Sequence, residues 1–293
     1  MLGYHRGEIM VQEKSCLRDE ASRVSKMIRN DIPDVAARFI ETQVMLIIGL
    51  RDEHDFVWAS AVYGEPGFVK AVDAHTISIS SLPLESDPIF AGIKSGQTIG
   101  MLAIEFATRR RMRVNGLITQ VHKNGFLVRT REVYANCPKY IQSRTFSGFK
   151  PMRQVEPRLS SRLDQEQMEA IRRSDTFFIA THHSESGADA SHRGGLPGFV
   201  HIVDERTLMI QDYKGNAMFN TLGNIAENPQ TGLLFLDFEA GDLLQINGET
   251  TVQWEGSERS IYFRVRQIRS VVGGFPLNWT FGSYSPFNPP PAT

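Results

Sequence analysis

The sequence predicts a mainly β fold with short helices (α+β), built as two tandem barrel-like modules, and three observations carry that expectation. The chain repeats itself, each copy holds several short strand patterns around one helix, and 293 residues exceed what one small core organises.

The repeat is explicit. Gly64-Glu65-Pro66-Gly67-Phe68-Val69 recurs as Gly195-Leu196-Pro197-Gly198-Phe199-Val200, and Val72–Ile79 recurs as Val203–Ile210, both at a spacing of 131. Val114-Asn115-Gly116 matches Ile246-Asn247-Gly248 at a spacing of 132, so a single one-residue gap aligns about eighty residues of each half.

In the second copy the elements read in order. A helix is expected over Leu163–Arg173, where Asp164 and Gln167 have capping-box spacing and Met168 and Ile171 share a face. Thr176–Thr181 reads as a strand, and Phe199–Val203 with Thr207–Gln211 reads as a hairpin around Asp204–Arg206. A short helix is expected to open at Lys214-Gly215-Asn216, with Met218, Leu222 and Ile225 facing inward; strands Gly232–Phe238 and Leu243–Gly248 follow. No β-α-β alternation runs through the copy, which favours a closed or split barrel over a doubly wound sheet. The expected organisation is a first module over 1–142 with a helical N-terminal extension and a Ser/Pro/Gly/Arg-rich linker over 143–162. A second module over 163–270 and a Pro/aromatic-rich tail over 271–293 complete it.

Composition narrows the class. Apolar residues at 41% and charged residues at 22% suit a globular chain, and runs such as Val44–Leu50 are too short to span a bilayer, so no membrane role is expected. A net charge of -1 and a pI near 6.7 offer no general field for nucleic acid. Cys16 and Cys137 form no disulfide framework, and the N-terminus lacks an apolar signal region, so a cytoplasmic location is expected.

Duplication supplies an internal control, because residues shared by the copies serve the fold and residues special to one point to a site. Against Asp189-Ala190-Ser191-His192-Arg193-Gly194-Gly195 the first copy has Trp58-Ala59-Ser60-Ala61-Val62-Tyr63-Gly64, so the basic pair is lost. Against Lys214-Gly215-Asn216 it has Pro83-Leu84-Glu85, with Asp87 close behind. A helix start with a lysine attracts phosphate, and carboxylates at the matching place repel it. Each motif alone is more often an exposed turn; together, and absent from the sister copy, they point to an anion site.

These same residues carry a resemblance. DASHRGGLPGFV, followed by DYKGNAMFNTLGNIAENPQTGLLFLDFEAGDLLQINGE, resembles the pyridoxamine 5′-phosphate oxidase-like FMN-binding split-barrel superfamily. With TRRRMRVNG and NCPKYIQ in the first half, the chain is similar to the two-copy branch of that superfamily. The resemblance implies two split barrels paired as an intrachain pseudo-dimer, with FMN between them. It further implies that Ser191, His192 and Arg193 lie along the ribityl and phosphate side and that Lys214, Gly215 and Asn216 complete the phosphate grip. Some members of that branch continue into a ferredoxin-reductase-like module, for which this chain is too short, so a separate reductase is an expected alternative partner.

The first copy adds candidates. A strand over Arg109–Arg113 would place Arg109, Arg111 and Arg113 on one face toward the flavin or an anionic substrate, with a solvated or ion-paired strand as the ordinary alternative. By resemblance Lys139 reaches the cofactor, and Gln245 is placed to hydrogen-bond the ring. Cys137 reads better as a small buried hydrophobe than as a redox thiol. His182, His183, His192 and His201 cluster without zinc spacing, so no metal is expected, and a haem-binding split barrel stands as the rival. The tail either straps across a barrel, with Trp279 capping the crevice, or stays free of it. The expected function is a flavoprotein oxidoreductase taking a hydride from a small-molecule donor, with a flavin-binding electron-transfer module as the alternative. A homodimer is compatible with either, and neither substrate nor catalytic residue is legible.

Overall fold

The structure, a computed structural model, describes residues 3–151 and 156–290. Three helices come first: α1 (Arg6–Lys14), α2 (Arg18–Val24) and α3 (Asp34–Glu41). The first sheet holds β1 (Met45–Arg51), β2 (Val57–Tyr63), β3 (Val69–Asp73), β4 (Thr76–Ile79), β5 (Thr98–Glu105), β6 (Arg110–His122) and β7 (Gly125–Asn136). After β8 (Arg144–Phe149), β9 (Arg158–Ser160) and α4 (Gln165–Arg173) comes the second sheet. It holds β10 (Thr176–His183), β11 (Gly187–Gly194), β12 (Val200–Asp204), β13 (Thr207–Gln211), β14 (Gln230–Leu236), β15 (Leu243–Glu255) and β16 (Glu258–Val271). Helix α5 (Asn220–Glu227) lies between β13 and β14, and β17 (Leu277–Phe281) closes the order.

The two sheets share one topology. The order is β2-β1-β5-β6-β7-β4-β3 in the first and β11-β10-β14-β15-β16-β13-β12 in the second, so each begins with its second strand and ends with its third. Register follows the sequence offsets as well. Met45 pairs with Tyr63 as Thr176 pairs with Gly194, and Leu102 pairs with Arg113 as Leu234 pairs with Gln245.

Strands β1 and β10 are buried along nearly their whole length because both faces are covered. One face of each joins its own module's core, around Ile48, Val114 and Val128 or around Ile179, Ile246 and Phe263. The other joins a shared core in which Ile47, Ala59 and Leu102 meet Phe178, Ala180 and Leu234. Glycines permit the close approach. A Cβ on Gly100 would lie 2.4 Å from Asp189 Cα, one on Gly232 would lie 2.5 Å from Trp58 Cα, and one on Gly49 would lie 2.7 Å from Ala180 Cβ.

Several expectations hold. Helix α4 starts two residues inside the expected span with Asp164 as its cap, and Asp164 and Gln167 form the reciprocal capping box. The β12–β13 hairpin lies where expected, and Met218, Leu222 and Ile225 are buried. Others need correction. The second copy has three strands after α5 rather than two, and DASHRGG is itself a strand, β11, paired along its length with β10. The stretch 143–162 contains β8 and β9, while residues 152–155 lie outside the described residues. The tail does strap: β17 pairs with β8, and Trp279 packs edge-on against Phe106 with centroids 5.2 Å apart. Of its terminal prolines, Pro291 lies outside the described residues. Among the described residues no helix is long and apolar enough to cross a membrane.

Candidate functional site

One end of β6, the turn after β7, the end of β11 and the loop from β13 to α5 meet at a cleft. Strand alternation turns Arg111 and Arg113 to the same face of β6, toward β11. Arg111 donates through Nε to the Cys137 carbonyl at 3.0 Å and through Nη1 to His192 Nδ1 at 3.0 Å. Among the described residues no carboxylate forms an ion pair with it. Burial, then the like charges of Arg113 and Arg193, pull its pKa down to about 9.

The other guanidiniums are paired. Arg113 meets Asp189 at 2.9 Å, hydrogen-bonds the Ser191 hydroxyl, and reaches Tyr134 and Asn220 at 3.3 Å each. Burial opposes its charge, yet Asp189, Tyr134 and Glu132 together outweigh that and raise its pKa. Arg193 meets one oxygen of Asp212 at 3.1 Å, and Arg259 meets the other at 2.9 Å. Arg111, Arg113, Arg193 and Arg259 therefore face Asp189 and Asp212, leaving two positive charges in excess. Behind them burial raises the pKa of Glu8 to about 8, and burial likewise raises those of Glu132 and Asp189.

His192 is neutral. Burial, then Arg111, Arg144 and Arg193, push its pKa well below the usual histidine range. Because a guanidinium can only donate, Nδ1 is the acceptor and Nε2 carries the proton. That buried Nε2 has no hydrogen-bond partner among the described residues, nor does Arg193 Nε. The cleft thus holds surplus charge and idle donors, and its chemistry is that of an anion site.

Not every expected residue gathers here. Arg111, Arg113, His192, Arg193, Gly215 and Asn216 line the cleft, and Lys139 lines an adjoining space with Tyr140 and Tyr213. Ser191 is buried behind Arg113, bonded to Thr221. Lys214 is exposed, and its carbonyl accepts from Tyr140. Arg109 precedes β6 in a left-handed turn and binds the Ile141 carbonyl and Ser283, so it leaves the shared face.

Two assignments are corrected. Helix α5 begins at Asn220, not at Lys214, because Ala217 and Phe219 are left-handed and Asn216 Oδ1 accepts from the Met218 amide, an Asx turn that holds the loop open. Gln245 lies outside the cleft altogether. It donates to the Ala59 carbonyl at 3.0 Å and to Asp87 at 3.1 Å, and it accepts from Arg269, in the crevice at the opposite end of the shared core. Its offset of 132 makes it the counterpart of Arg113, so the duplication that placed it on an inward face also placed it at the other site.

Sequence reasoning missed Asp189, Asp212, Tyr213 and Asn220. The signal was present for two of them, since Asp189 stands against Trp58 and Asp212 against Ser81 in the aligned copies. Cys137 is half-buried at the cleft wall, and its role there is its carbonyl. Among the histidines, His183 stacks on His5 with centroids 3.9 Å apart and meets Glu227 at 3.0 Å. Backbone amides donate to Nδ1 of both rings, which fixes the proton on Nε2 where a metal would have to bind.

Residues 163–275 match the family model of pyridoxamine 5′-phosphate oxidase. Among solved structures, HupZ of group A Streptococcus is 15% identical, covering 39% of this chain and 98% of its own, with a TM-score of 0.32. A Clostridium acetobutylicum protein related to general stress protein 26, of the pyridoxinephosphate oxidase family, is 9% identical over 40% of this chain and 92% of its own, with a TM-score of 0.31. A FAD-binding protein of Mesorhizobium loti is 8% identical over 40% of this chain and 99% of its own, with a TM-score of 0.28. No curated protein matches the chain. The matched segment, residues 163–275, carries β11, the β13–α5 loop and most of the cleft, so this part of the chain is similar to the pyridoxamine 5′-phosphate oxidase family.

Proposed function

We propose that the chain is a tandem duplication folded as an intrachain pseudo-dimer, and that its cleft binds the phosphate of FMN in an FMN-dependent oxidoreductase. The observation that carries this reading is Arg111, a buried guanidinium without an acid beside an excess of two positive charges. A phosphate monoester supplies the missing dianion, and each charge-assisted contact contributes about 1.5–3 kcal/mol. The family match supplies the expectation of a flavin rather than another phosphate ester.

The fit is good for the phosphate and incomplete for the ring. The cleft and its neighbour have cavity volumes of about 80 and 50 Å³, below the roughly 300–1,000 Å³ of ordinary ligand pockets. A ring in that neighbouring space needs Tyr140 and Tyr213, now tilted against each other at 5.2 Å, to part. When bound, flavin supplies hydride chemistry. The chain's residues then orient it: Arg111, Arg113 and Arg193 hold negative charge, and His192 offers an Nε2 proton to an acceptor oxygen.

The test is mass spectrometry of whatever small molecule the purified chain releases on denaturation. One FMN per chain is expected, with Arg193→Ala purifying without it and Glu85→Ala, at the exposed first-copy position aligned with Asn216, retaining it. Full occupancy in Arg193→Ala overturns the phosphate assignment. Bleaching of the flavin bands under anaerobic NADH or NADPH tests turnover, and a lack of bleaching favours an electron-transfer module fed by a separate reductase.

A further inference from the structure

The two copies place a second crevice opposite the first, and it is not a collapsed remnant. It is a cavity of about 250 Å³, larger than the arginine cleft, between β2 and the loop after β4 on one side and β15 and β16 on the other. The aligned positions show how it was remade. Where the cleft has His192 and Tyr213, this crevice has Ala61 and Leu82 at an offset of 131, and where the cleft has Arg111 it has Leu243 at an offset of 132. Each of those polar side chains has become apolar. Phe149 at the end of β8 and Pro276 before β17 complete the wall, so the strap covers this crevice rather than the cleft.

A few polar groups remain at its floor. Asp87 and Arg269 are 7% and 2% exposed and supply one acid and one base, so the floor has no surplus of basic side chains. Asp87 is held by the Ser60 hydroxyl at 2.6 Å and by Gln245 at 3.1 Å, and Arg269 is held by Gln245 at 2.7 Å and Ser86 at 2.8 Å. The Tyr63 hydroxyl and Arg269 Nε are buried beside them with no hydrogen-bond partner among the described residues. Orphaned polar atoms of this kind are uncommon, and here they lie in the wall of an apolar space.

We infer that this crevice is a second ligand site, which takes a small uncharged ring compound bearing one hydroxyl or carbonyl oxygen. The apolar wall receives the ring, and the Tyr63 hydroxyl meets the oxygen. The floor, with one acid and one base, lacks the surplus of arginines found in the first cleft and so does not favour an anion. The volume suits such a ligand, since a cavity of about 150 Å³ lined by apolar side chains already holds benzene.

The probe is 2-naphthol, titrated into the full chain and followed by its fluorescence, with 2-naphthalenesulfonate as the charged comparison. Saturable binding of one 2-naphthol per chain is expected, unaffected by saturating inorganic phosphate and at least tenfold tighter than the sulfonate. Tyr63→Phe should weaken it about three- to tenfold through loss of one hydrogen bond, and Leu84→Trp, on a half-exposed loop position in the wall, should abolish it. Absence of saturable binding, competition by phosphate, or equal affinity in wild type, Tyr63→Phe and Leu84→Trp overturns the inference. Because phosphate occupies only the first cleft, failure here leaves the cofactor reading untouched.

Discussion

Arg111 and Arg113 sit two residues apart on one strand, yet their substitution should act in opposite directions. Arg111 has no acid to neutralise it, so Arg111→Ala removes a buried like charge and should leave the ligand-free protein as stable as wild type or slightly more so. Arg113→Ala strands Asp189 in the interior and should cost about 3–5 kcal/mol. Thermal melts in phosphate-free buffer check this, and added inorganic phosphate should raise the melting temperature of wild type but not of Arg111→Ala. Equal destabilisation by both variants would show that Arg111 has a counter-charge. Much of this was legible, because the basic triplet alternates and His192-Arg193 is special to one copy. The acids were not, since a lone aspartate on a β-strand gives no sign that it faces an arginine 76 residues earlier in the chain.

Helix α1 is the element that holds the cleft from behind. It crosses α5 at a Gly7–Gly223 contact, where a Cβ on Gly7 would fall 2.3 Å from the Gly223 carbonyl oxygen. Glu8 takes a hydrogen bond from Asn220 and His5 bonds Asn224, so two titrating groups fasten α1 to α5. Their signs differ. Burial raises the Glu8 pKa from 4.5 to about 8, so its contribution is complete below 4.5 and is lost as pH rises through 8. Burial, then His183, lowers the His5 pKa from 6.5 to about 4, so its contribution is complete above 6.5 and is lost as pH falls through 4. Protection of the α1 amides, measured against the intrinsic exchange rate at each pH, should therefore be highest between pH 4.5 and 6.5 and lower on both sides, and Glu8→Gln should flatten the alkaline limb alone. A flat profile in wild type would remove both assignments. The sequence showed little of this arrangement, because docking between helices 213 residues apart leaves no local pattern. The start of α5 was misread for a related reason: the apolar spacing of Met218, Leu222 and Ile225 is helical, but only two left-handed residues reveal where the helix begins.

Across the whole molecule, Gly100 and Gly232 are counterparts that meet different neighbours. Either glycine replaced by alanine drives a Cβ into backbone of the opposite sheet, at a cost of about 1–3 kcal/mol or more. Gly100→Ala pushes on Asp189, the partner of Arg113, and should also weaken phosphate binding; Gly232→Ala pushes on Trp58 and should lower stability alone. Denaturant midpoints and phosphate titrations of the two variants check this, and equal loss of phosphate affinity in both would show that the cleft depends on the entire interface. The β class and the likeness of the two halves were legible because the same Pro-Gly turns and strand patterns recur in both, and the two sheets have matching strand orders. The meaning of the interface glycines was not, since a strand glycine marks a bulge as readily as a close approach. The β8–β17 ribbon carries one more consequence. The Lys150 amide bonds the Pro276 carbonyl, so residues 151–275 begin and finish at a single point. Excising that stretch would leave two ends already in contact, while uncovering the face of the first sheet that carries Ile47, Ala59 and Leu102.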